Sequence, residues 1–253
     1  MKHIVSFSGG KDSTAMLLMM LEKNIAVDDI IFCDTGVEFP ALYQHVEEVE
    51  RYIGRKITRL KWEGGSYEWE FAHHVKLRGN NPPGKGWASF RNRWCTQYFK
   101  SIPSKKYLKG KYGKNYTLYI GIAYDEPKRH KNIPANVVHP LYDWQITEAQ
   151  ALEYCKSKGF DFGGLYDIFP RLGCYCCPLQ RKQSWRALYD NFPELFKKSL
   201  QMEAECEHDT KFANGKKLAD YSAEFKAADE MERISIPLFV YECPKEREED
   251  GRK

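Results

Sequence analysis

The stretch SFSGGKDST at Ser6–Thr14 decides the fold of this chain. It follows the apolar pair Ile4 and Val5 and precedes a Met- and Leu-rich helical pattern from Ala15 to Glu22. A strand, a glycine turn and the start of a helix therefore meet here. Adjacent glycines allow a sharp turn whose N–H groups point into a concavity, and the helix dipole adds positive potential there. The stretch predicts a binding site for an anion such as phosphate or pyrophosphate.

Two common nucleotide-binding loops are excluded at this position. A Walker A loop needs a glycine five residues before Gly10 and a Ser or Thr after Lys11, but Val5 and Asp12 stand there. A dinucleotide fingerprint is excluded because the G-x-G-x-x-G spacing is absent. The structural alternative is a plain helix cap formed by Asp12 and Ser13. The strand-to-helix context favours a functional loop.

The stretch Ser8–Ser13 resembles the PP-loop signature S-G-G-x-D-S of the ATP pyrophosphatase, or adenine nucleotide alpha hydrolase, superfamily, and every position matches. The resemblance implies ATP and Mg²⁺ as ligands and Lys11 and Asp12 as catalytic residues. The nucleotide-binding residues that it implies in this stretch are Ser6, Ser8, Gly9, Gly10, Lys11, Asp12 and Ser13.

Further apolar runs alternate with helical patterns along the chain. Ile30–Cys33 reads as a second buried strand that ends in Asp34–Gly36, Ile57–Leu60 as a third strand, and Tyr116–Ala123 as a later one. This alternation predicts an α/β fold with a doubly wound, mostly parallel, Rossmann-like sheet. Ligands of such sheets bind at the carboxyl ends of the strands, where the glycine loop and Asp34 both lie.

The chain of 253 residues divides, on this reading, into an α/β domain at 1–179 and a helical C-terminal extension at 180–253. Regular patterns fail after Trp62, which predicts an inserted, lid-like segment at about 62–114. Its part from Arg91 to Lys114 carries many Lys and Arg residues and aromatics but no Asp or Glu. That mixture makes nucleic acid a candidate acceptor, and a solvated helical face of lysines is the alternative.

Several stretches between Lys2 and Leu179 also resemble the phosphoadenosine phosphosulfate reductase family. They are Asp34-Thr35-Gly36 with Phe39-Pro40, Arg93-Trp94-Cys95-Thr96 with Lys100, Pro140-Leu141 with Trp144, and Leu165-Tyr166 with Arg171 and Gly173–Pro178. The resemblance implies that Asp34, Thr35 and Gly36 hold the adenosine half of a nucleotide. It also implies catalytic roles for Cys95 and Lys100.

Two departures from that family matter. Its G-x-R-x-x-E-S-x-x-R element appears as Gly121–Arg129, which lacks one arginine and the serine, keeps Gly121 and Glu126, and has Arg129 one position before the place of the final arginine. We expect Gly121 and Glu126 to contact the nucleotide and Arg129 to act in catalysis. Sulfonucleotide reductases of this family end in Glu-Cys-Gly-Leu-His and usually have a degraded loop, whereas here only Cys243 echoes that tail and the loop is intact.

The intact loop favours cleavage of ATP between its α and β phosphates. An acceptor oxygen would attack the α-phosphorus, and pyrophosphate would leave against the loop amides, Lys11 and Arg129, with Mg²⁺ near Asp12 and Asp34. The activated acceptor would then take sulfur. One alternative is reduction of a sulfonucleotide by a Cys95 or Cys243 thiolate. Another is a nucleotide-binding module without turnover.

The chain has eight cysteines, which in a reducing compartment are thiols or metal ligands rather than disulfides. Cys174 and Cys177 form a C-x-x-C pair. With Cys95 they resemble the three-cysteine [4Fe-4S] site of some PP-loop thiolation enzymes, and Cys176 or Cys243 is a further candidate ligand. Zn²⁺ and plain thiols are equally open, because thiolates serve all three.

Location and partners follow from the remaining features of the sequence. The net charge is only +4, apolar runs are short, and the loop lies so near Met1 that we expect no signal peptide. We therefore expect a cytoplasmic protein without a membrane partner. The expected partners are ATP, a sulfur donor that the sequence does not name, nucleic acid as a candidate acceptor, and a second copy of the chain in a homodimer.

Overall fold

A five-stranded parallel sheet forms the centre of the computed structural model, which describes residues 1–75 and 82–235. Its strands are β1 (Lys2–Phe7), β2 (Asp29–Cys33), β3 (Thr58–Leu60), β4 (Tyr116–Ile120) and β5 (Val137–Val138). They lie in the order β3-β2-β1-β4-β5, and every pairing is parallel. The order reverses direction at β1, and a ligand crevice is expected at such a switch point.

Eleven helices surround the sheet within the described residues. They are α1 (Lys11–Glu22), α2 (Pro40–Ile53), α3 (Tyr67–Ala72), α4 (Trp94–Thr96), α5 (Ile102–Tyr112), α6 (Pro140–Asp143), α7 (Glu148–Ser157), α8 (Leu165–Ile168), α9 (Lys182–Asn191), α10 (Pro193–Glu205) and α11 (Leu218–Ser235). A π-helical turn at Gln97–Ser101 joins α4 to α5, and a 3₁₀ turn at Phe162–Gly164 precedes α8. Thr147 caps α7, where a capping box with Gln150 satisfies two backbone donors.

Helices cover both faces of the sheet. On one face, Val5 of β1 packs in the main core with Met16 of α1 and Val46 of α2. On the other face, Ile4 of β1 belongs to a smaller cluster with Leu108 of α5. Strands buried on both faces read as continuous apolar runs, as β2 does from Ile30 to Cys33. The predicted doubly wound α/β fold and its helical C-terminal region are confirmed.

The segment predicted as a lid is built into the core. Phe71 and Trp87 are buried in the main cluster, where Trp87 packs 5.9 Å, centroid to centroid, from Trp185 of α9. An aromatic-rich segment gains more from burial than from standing free in solvent, which explains the difference. Residues 76–81 of the segment lie outside the described residues. The division at 179/180 stays a prediction, since α9 and α10 contribute to the same core as the sheet.

No helix in the described ranges 1–75 and 82–235 is long and apolar enough to cross a bilayer.

Candidate functional site

Three loops meet at the carboxyl end of the sheet, and together they form the candidate site. One follows β1 at Ser8–Gly10, one follows β2 at Asp34–Gly36, and one follows β4 from Gly121. Gly121 lies so close to the first turn of α1 that a Cβ there would stand 2.8 Å from the Asp12 carbonyl carbon. Only glycine lets the backbone after β4 come this near to the first loop.

The glycine loop has the conformation that its sequence predicts. Gly9 has a φ of +78°, a left-handed conformation that favours glycine, and a Cβ there would meet Leu42 at 3.0 Å. The Ser13 hydroxyl accepts the Ser8 N–H at 3.1 Å and donates to the Gly10 carbonyl at 3.0 Å. The turn is therefore held in shape without a ligand.

Two amides of this turn remain available to an anion. Among the described residues, the N–H groups of Gly9 and Gly10 donate to no protein acceptor. The Lys11 N–H, by contrast, donates to the Tyr166 hydroxyl at 2.8 Å. Free amides beside the start of α1 are suited to phosphate oxygens.

The Lys11 side chain is buried and already paired. Its ammonium lies 2.7 Å from Glu148 at the start of α7 and 3.3 Å from Asp12. The side chain is only 7% exposed, so its ammonium is largely shielded from solvent. A ligand phosphate would compete with Glu148 for this ammonium.

Asp12 is an unusual carboxylate in this setting. Burial raises its pKa to about 6, against the attraction of Lys11, and the negative charges of Glu148 and Glu126 add to the rise. Its Oδ1 is buried without a hydrogen-bond partner in the described structure. A carboxylate kept short of partners is suited to a cation that arrives with the ligand.

Asp34, predicted as a second Mg²⁺ partner, already has contacts on both of its oxygens. Its Oδ1 accepts from the Gly36 amide at 3.0 Å and the Tyr43 hydroxyl at 2.7 Å, while its Oδ2 lies 3.2 Å from Lys61. Burial opposes its charge, but these contacts outweigh burial and lower its pKa. Asp34 shapes the loop after β2, so it fits a metal less well than Asp12 does.

Thr35 faces the cysteine side of the site. Its hydroxyl donates to the buried Glu38 carboxylate at 3.0 Å, and the Cys174 thiol donates to the same oxygen at 3.5 Å. Lys100 lies 3.9 Å from this carboxylate. The structure thus brings together the predicted residues Thr35, Lys100 and Cys174 around Glu38, which the sequence analysis did not single out.

A cleft of about 400 Å³ opens beside the glycine loop. The carboxyl ends of β1 and β2 contribute Ser6, Ser8 and Cys33 to its wall, and the opposite side comes from α5 and the turn before it. Polar and charged side chains on that opposite side are Lys100, Ser101, Ser104 and Lys105. The volume lies within the range of roughly 300–1,000 Å³ that small-molecule sites occupy.

Arg129 forms an ion pair with Glu126 inside the loop after β4, with 2.6 Å between Nη1 and Oε2. Arg129 is half-exposed, and Glu126 contributes to the raised pKa of Asp12. The predicted residues Glu126 and Arg129 therefore lie on the Asp12 side of the site. They neutralise one another as the structure stands.

The cysteines approach one another without forming a metal site in the structure described. Cys95 of α4 lies near enough to Cys177 to raise the pKa of that thiol, although burial is the main cause. Burial likewise raises the pKa values of Cys174 and Cys176. Across residues 1–75 and 82–235, no group of three or more His, Cys, Asp or Glu is arranged to hold a metal. Cys243 lies outside those residues.

The predicted [4Fe-4S] or Zn²⁺ site therefore stays a prediction. Burial is the main cause of the raised pKa values of Cys174 and Cys176, and a bound metal would lower the pKa of any thiol that ligates it.

Part of the basic run has a structural use. Lys111 lies 3.0 Å from Asp29, whose carboxylate also accepts the Tyr107 and Tyr112 hydroxyls at 2.7 and 2.8 Å. Lys106 pairs with Glu63 at 2.5 Å. Exposed cations of the run that form no ion pair within the described structure are Arg91, Arg93, Lys105, Lys109 and Lys114.

Sequence reasoning missed Glu148 and Glu38 as site residues, and it named Tyr166 only within a motif and Lys105 only as part of the basic run from Arg91 to Lys114. Glu148 lies 137 residues from Lys11 along the chain. Spacing along the chain carries no signal for such a contact.

Comparison with known proteins places the chain in a family. The model of the phosphoadenosine phosphosulfate reductase domain matches residues 2–180. An uncharacterized protein of Methanocaldococcus jannaschii is 30% identical over 206 residues, which is 77% of this chain and 40% of that protein. Adenosine 5'-phosphosulfate reductase 2 of Bacillus subtilis is 29% identical over 176 residues, which is 65% of this chain and 67% of that protein.

The chain spans about half the length of the curated relatives it matches, from 40% of the archaeal protein to 67% of the bacterial one. Among solved structures, the phosphoadenylyl-sulfate reductase of Candida auris in its phosphate complex is 18% identical, with a TM-score of 0.46 over 68% of this chain and 80% of that one. The domain match covers all three loops of the site. This chain belongs to the phosphoadenosine phosphosulfate reductase family, within the PP-loop superfamily.

Proposed function

We propose that the chain binds ATP and cleaves it between the α and β phosphates, so that an acceptor is adenylated and pyrophosphate leaves. The observation that carries this proposal is the intact glycine loop with the free amides of Gly9 and Gly10. Two outer phosphates need such a cradle of donors, whereas a sulfonucleotide has no pyrophosphate to fill it.

Charged residues around the loop have distinct roles in this proposal. Lys11 exchanges Glu148 for a phosphate oxygen when the nucleotide binds, because the two compete for one ammonium. Asp12, with its partnerless Oδ1, is the residue best suited to hold Mg²⁺, which would spread the charge that develops on the leaving pyrophosphate. Arg129, which now pairs with Glu126, would exchange that partner for a phosphate.

The cleft beside the loop would take the rest of the nucleotide and the acceptor. Ser6 and Ser8 line the cleft at the carboxyl end of β1. Lys100 and Lys105 supply positive charge to the other wall of the cleft. Sulfur from a donor at the cysteine side of the site would then attack the adenylated carbon of the acceptor, and the C–O bond would break so that AMP leaves with the former acceptor oxygen. Nucleic acid remains the candidate acceptor, and the unpaired cations Arg91, Arg93 and Lys109 would meet its phosphates.

The test uses ATP labelled at the α-phosphate, with a nucleotide-free cell extract as the source of acceptor. We expect labelled AMP and unlabelled pyrophosphate, and a loss of at least about 100-fold in Lys11→Ala and Asp12→Ala. Lys197→Ala, an exposed lysine of α10, is the matched control and should not change the rate. Formation of ADP, or equal rates in all variants, would contradict the proposal.

Reduction of a sulfonucleotide is the second candidate, favoured by the similarity to the Bacillus subtilis reductase over 65% of this chain. Half-buried Cys95, which interacts electrostatically with Lys100, or Cys243 would supply the attacking thiolate. Sulfite release from adenosine phosphosulfate in the presence of thioredoxin, lost in Cys95→Ser or Cys243→Ser, would support this reading. Tight ATP binding without any product would leave a nucleotide-binding module.

A further inference from the structure

Tyr166 lies directly over the glycine loop. Its hydroxyl oxygen accepts the Lys11 N–H at 2.8 Å, and a Cβ on Gly10 would stand 3.3 Å from the same oxygen. The Lys11 ammonium lies 5.4 Å from the centre of the Tyr166 ring. One phenol thus contacts both the backbone and the side chain of the loop lysine.

The position of this phenol is fixed by the core. Tyr166 belongs to α8, whose neighbours Leu165 and Phe169 are 0% and 2% exposed. Its ring packs edge-on against buried Phe162, with 4.9 Å between centroids and an interplanar angle of 87°. Swinging the ring away would uncover Phe162 and cost apolar burial. Tyr166 is therefore a stationary part of the loop's surroundings.

The hydroxyl of Tyr166 has a proton to give. Among residues 1–75 and 82–235 it accepts from Lys11 but donates to no protein atom. Burial is the main cause that raises its pKa, and the negative Asp12 and Glu148 add to the rise. The phenol therefore stays protonated at neutral pH and can donate a hydrogen bond.

We infer that Tyr166 is an additional phosphate-binding residue of the loop. The Tyr166 oxygen accepts the Lys11 N–H, so that amide is not available to a ligand. The Tyr166 O–H replaces it as a donor next to the free amides of Gly9 and Gly10. A phosphate oxygen seated on those amides would then accept a hydrogen bond from the phenol. This inference rests on the proposed function, in which the outer phosphates of ATP occupy the loop.

The opposite role would make Tyr166 an occluding group that the ligand must displace. The two roles predict opposite signs for one substitution, Tyr166→Phe, which removes the hydroxyl and keeps the ring. A donor lost from a charged acceptor weakens binding, whereas an occluding group removed frees the Lys11 amide and strengthens it. The stationary ring favours the first role.

The experiment is calorimetric titration of the wild type and Tyr166→Phe with ATP, inorganic pyrophosphate and AMP. We expect ATP and pyrophosphate to bind about tenfold more weakly to the variant, because one hydrogen bond to a charged group is lost. AMP, which lacks the outer phosphates, should bind both proteins equally. That split separates a contact with the outer phosphates from a general disturbance of the site.

Tyr189→Phe is the matched control, since its hydroxyl lies 3.2 Å from Asp229 among the C-terminal helices. It should bind all three ligands as the wild type does. Equal or tighter binding of pyrophosphate by Tyr166→Phe would overturn the inference and leave the proposed function intact. Failure of the wild type to bind either ATP or pyrophosphate would overturn both together.

Discussion

At the scale of single residues, Asp12 of the candidate site lowers the stability of the fold at neutral pH. Burial, with the charges of Glu148 and Glu126, raises its pKa to about 6 against the attraction of Lys11, and its Oδ1 has no hydrogen-bond partner among the described residues. Because the folded-state pKa lies above the ordinary aspartate pKa of 3.8, the charged form destabilises the fold. The contribution of Asp12 to stability is therefore greatest below pH 3.8, and it is lost as the pH rises through 6.

Asp12→Asn should raise the free energy of unfolding at pH 8, on the order of 1–3 kcal/mol, because the carboxylate charge of residue 12 is then no longer buried. The gain should vanish near pH 4, where the wild-type carboxyl is itself neutral. Denaturant titrations at the two pH values measure both effects. Asp190→Asn on α9 is the control, and a gain that does not depend on pH would show that burial of charge is not the cause.

At the scale of elements, two networks of buried acids dock helices onto the fold. Glu203 of α10 accepts the Trp87 indole N–H at 2.7 Å and the first amides of α11, from Leu218 at 2.7 Å and Ala219 at 2.9 Å. One carboxylate therefore caps α11 and also fastens the inserted segment. Asp29 likewise fastens α5, because its Oδ2 accepts hydrogen bonds from Tyr107, Tyr112 and Lys111.

Glu203→Ala should lower the free energy of unfolding by at least about 2 kcal/mol, because three donors, two of them buried, lose their acceptor. Thermal unfolding followed by circular dichroism measures the loss. Glu205→Ala, at the exposed last residue of α10, is the control and should lower the free energy of unfolding by less than about 0.5 kcal/mol. Equal losses in the two variants would mean that Glu203 does not cap α11.

Asp29→Ala should cost about 2–4 kcal/mol, since it leaves two tyrosine hydroxyls and Lys111 without their shared acceptor. The neighbouring Asp28→Ala removes only an exposed pair with Lys2 and a bond to the His3 amide, so it should cost about 1 kcal/mol or less. If the two losses were equal, α5 would not depend on this network. Chemical denaturation of both variants decides between these outcomes.

At the scale of the whole molecule, the pH dependence of stability combines opposing groups. His45 of α2 is 1% exposed among aromatic rings and bonds to the Thr14 hydroxyl at 2.9 Å. Burial lowers its pKa from 6.5 to about 4, so the folded state resists protonation. Stability should fall as the pH drops from 6.5 towards 4, while Asp12 acts in the opposite direction over nearly the same range.

His45→Gln should remove the His45 part of this dependence, which is on the order of 3 kcal/mol. The variant should be less stable than the wild type at pH 8, through poorer packing, yet lose less stability between pH 6.5 and 4. Unfolding free energies at four pH values measure the two slopes. If both proteins lost equal stability between pH 6.5 and 4, the pKa of His45 would be the same in the folded and unfolded states, and the explanation would be wrong.

Much of this molecule could be predicted from local patterns. The glycine loop, the strand ends that carry Asp34 and Gly121, and the capped start of α7 depend on residues a few positions apart. Backbone conformation, capping and apolar periodicity act over such distances, so the sequence displays them directly. The parallel sheet then follows from the alternation of strands and helices.

Tertiary structure alone decided which side chains share the site. Lys11 meets Glu148 and Tyr166 across 137 and 155 residues, Glu38 joins Thr35 to Cys174, and Phe71 takes the segment predicted as a lid into the core. Such contacts depend on how elements pack and on which buried charge needs a partner. Neither the packing of elements nor the pairing of buried charges can be predicted from the spacing of residues along the chain.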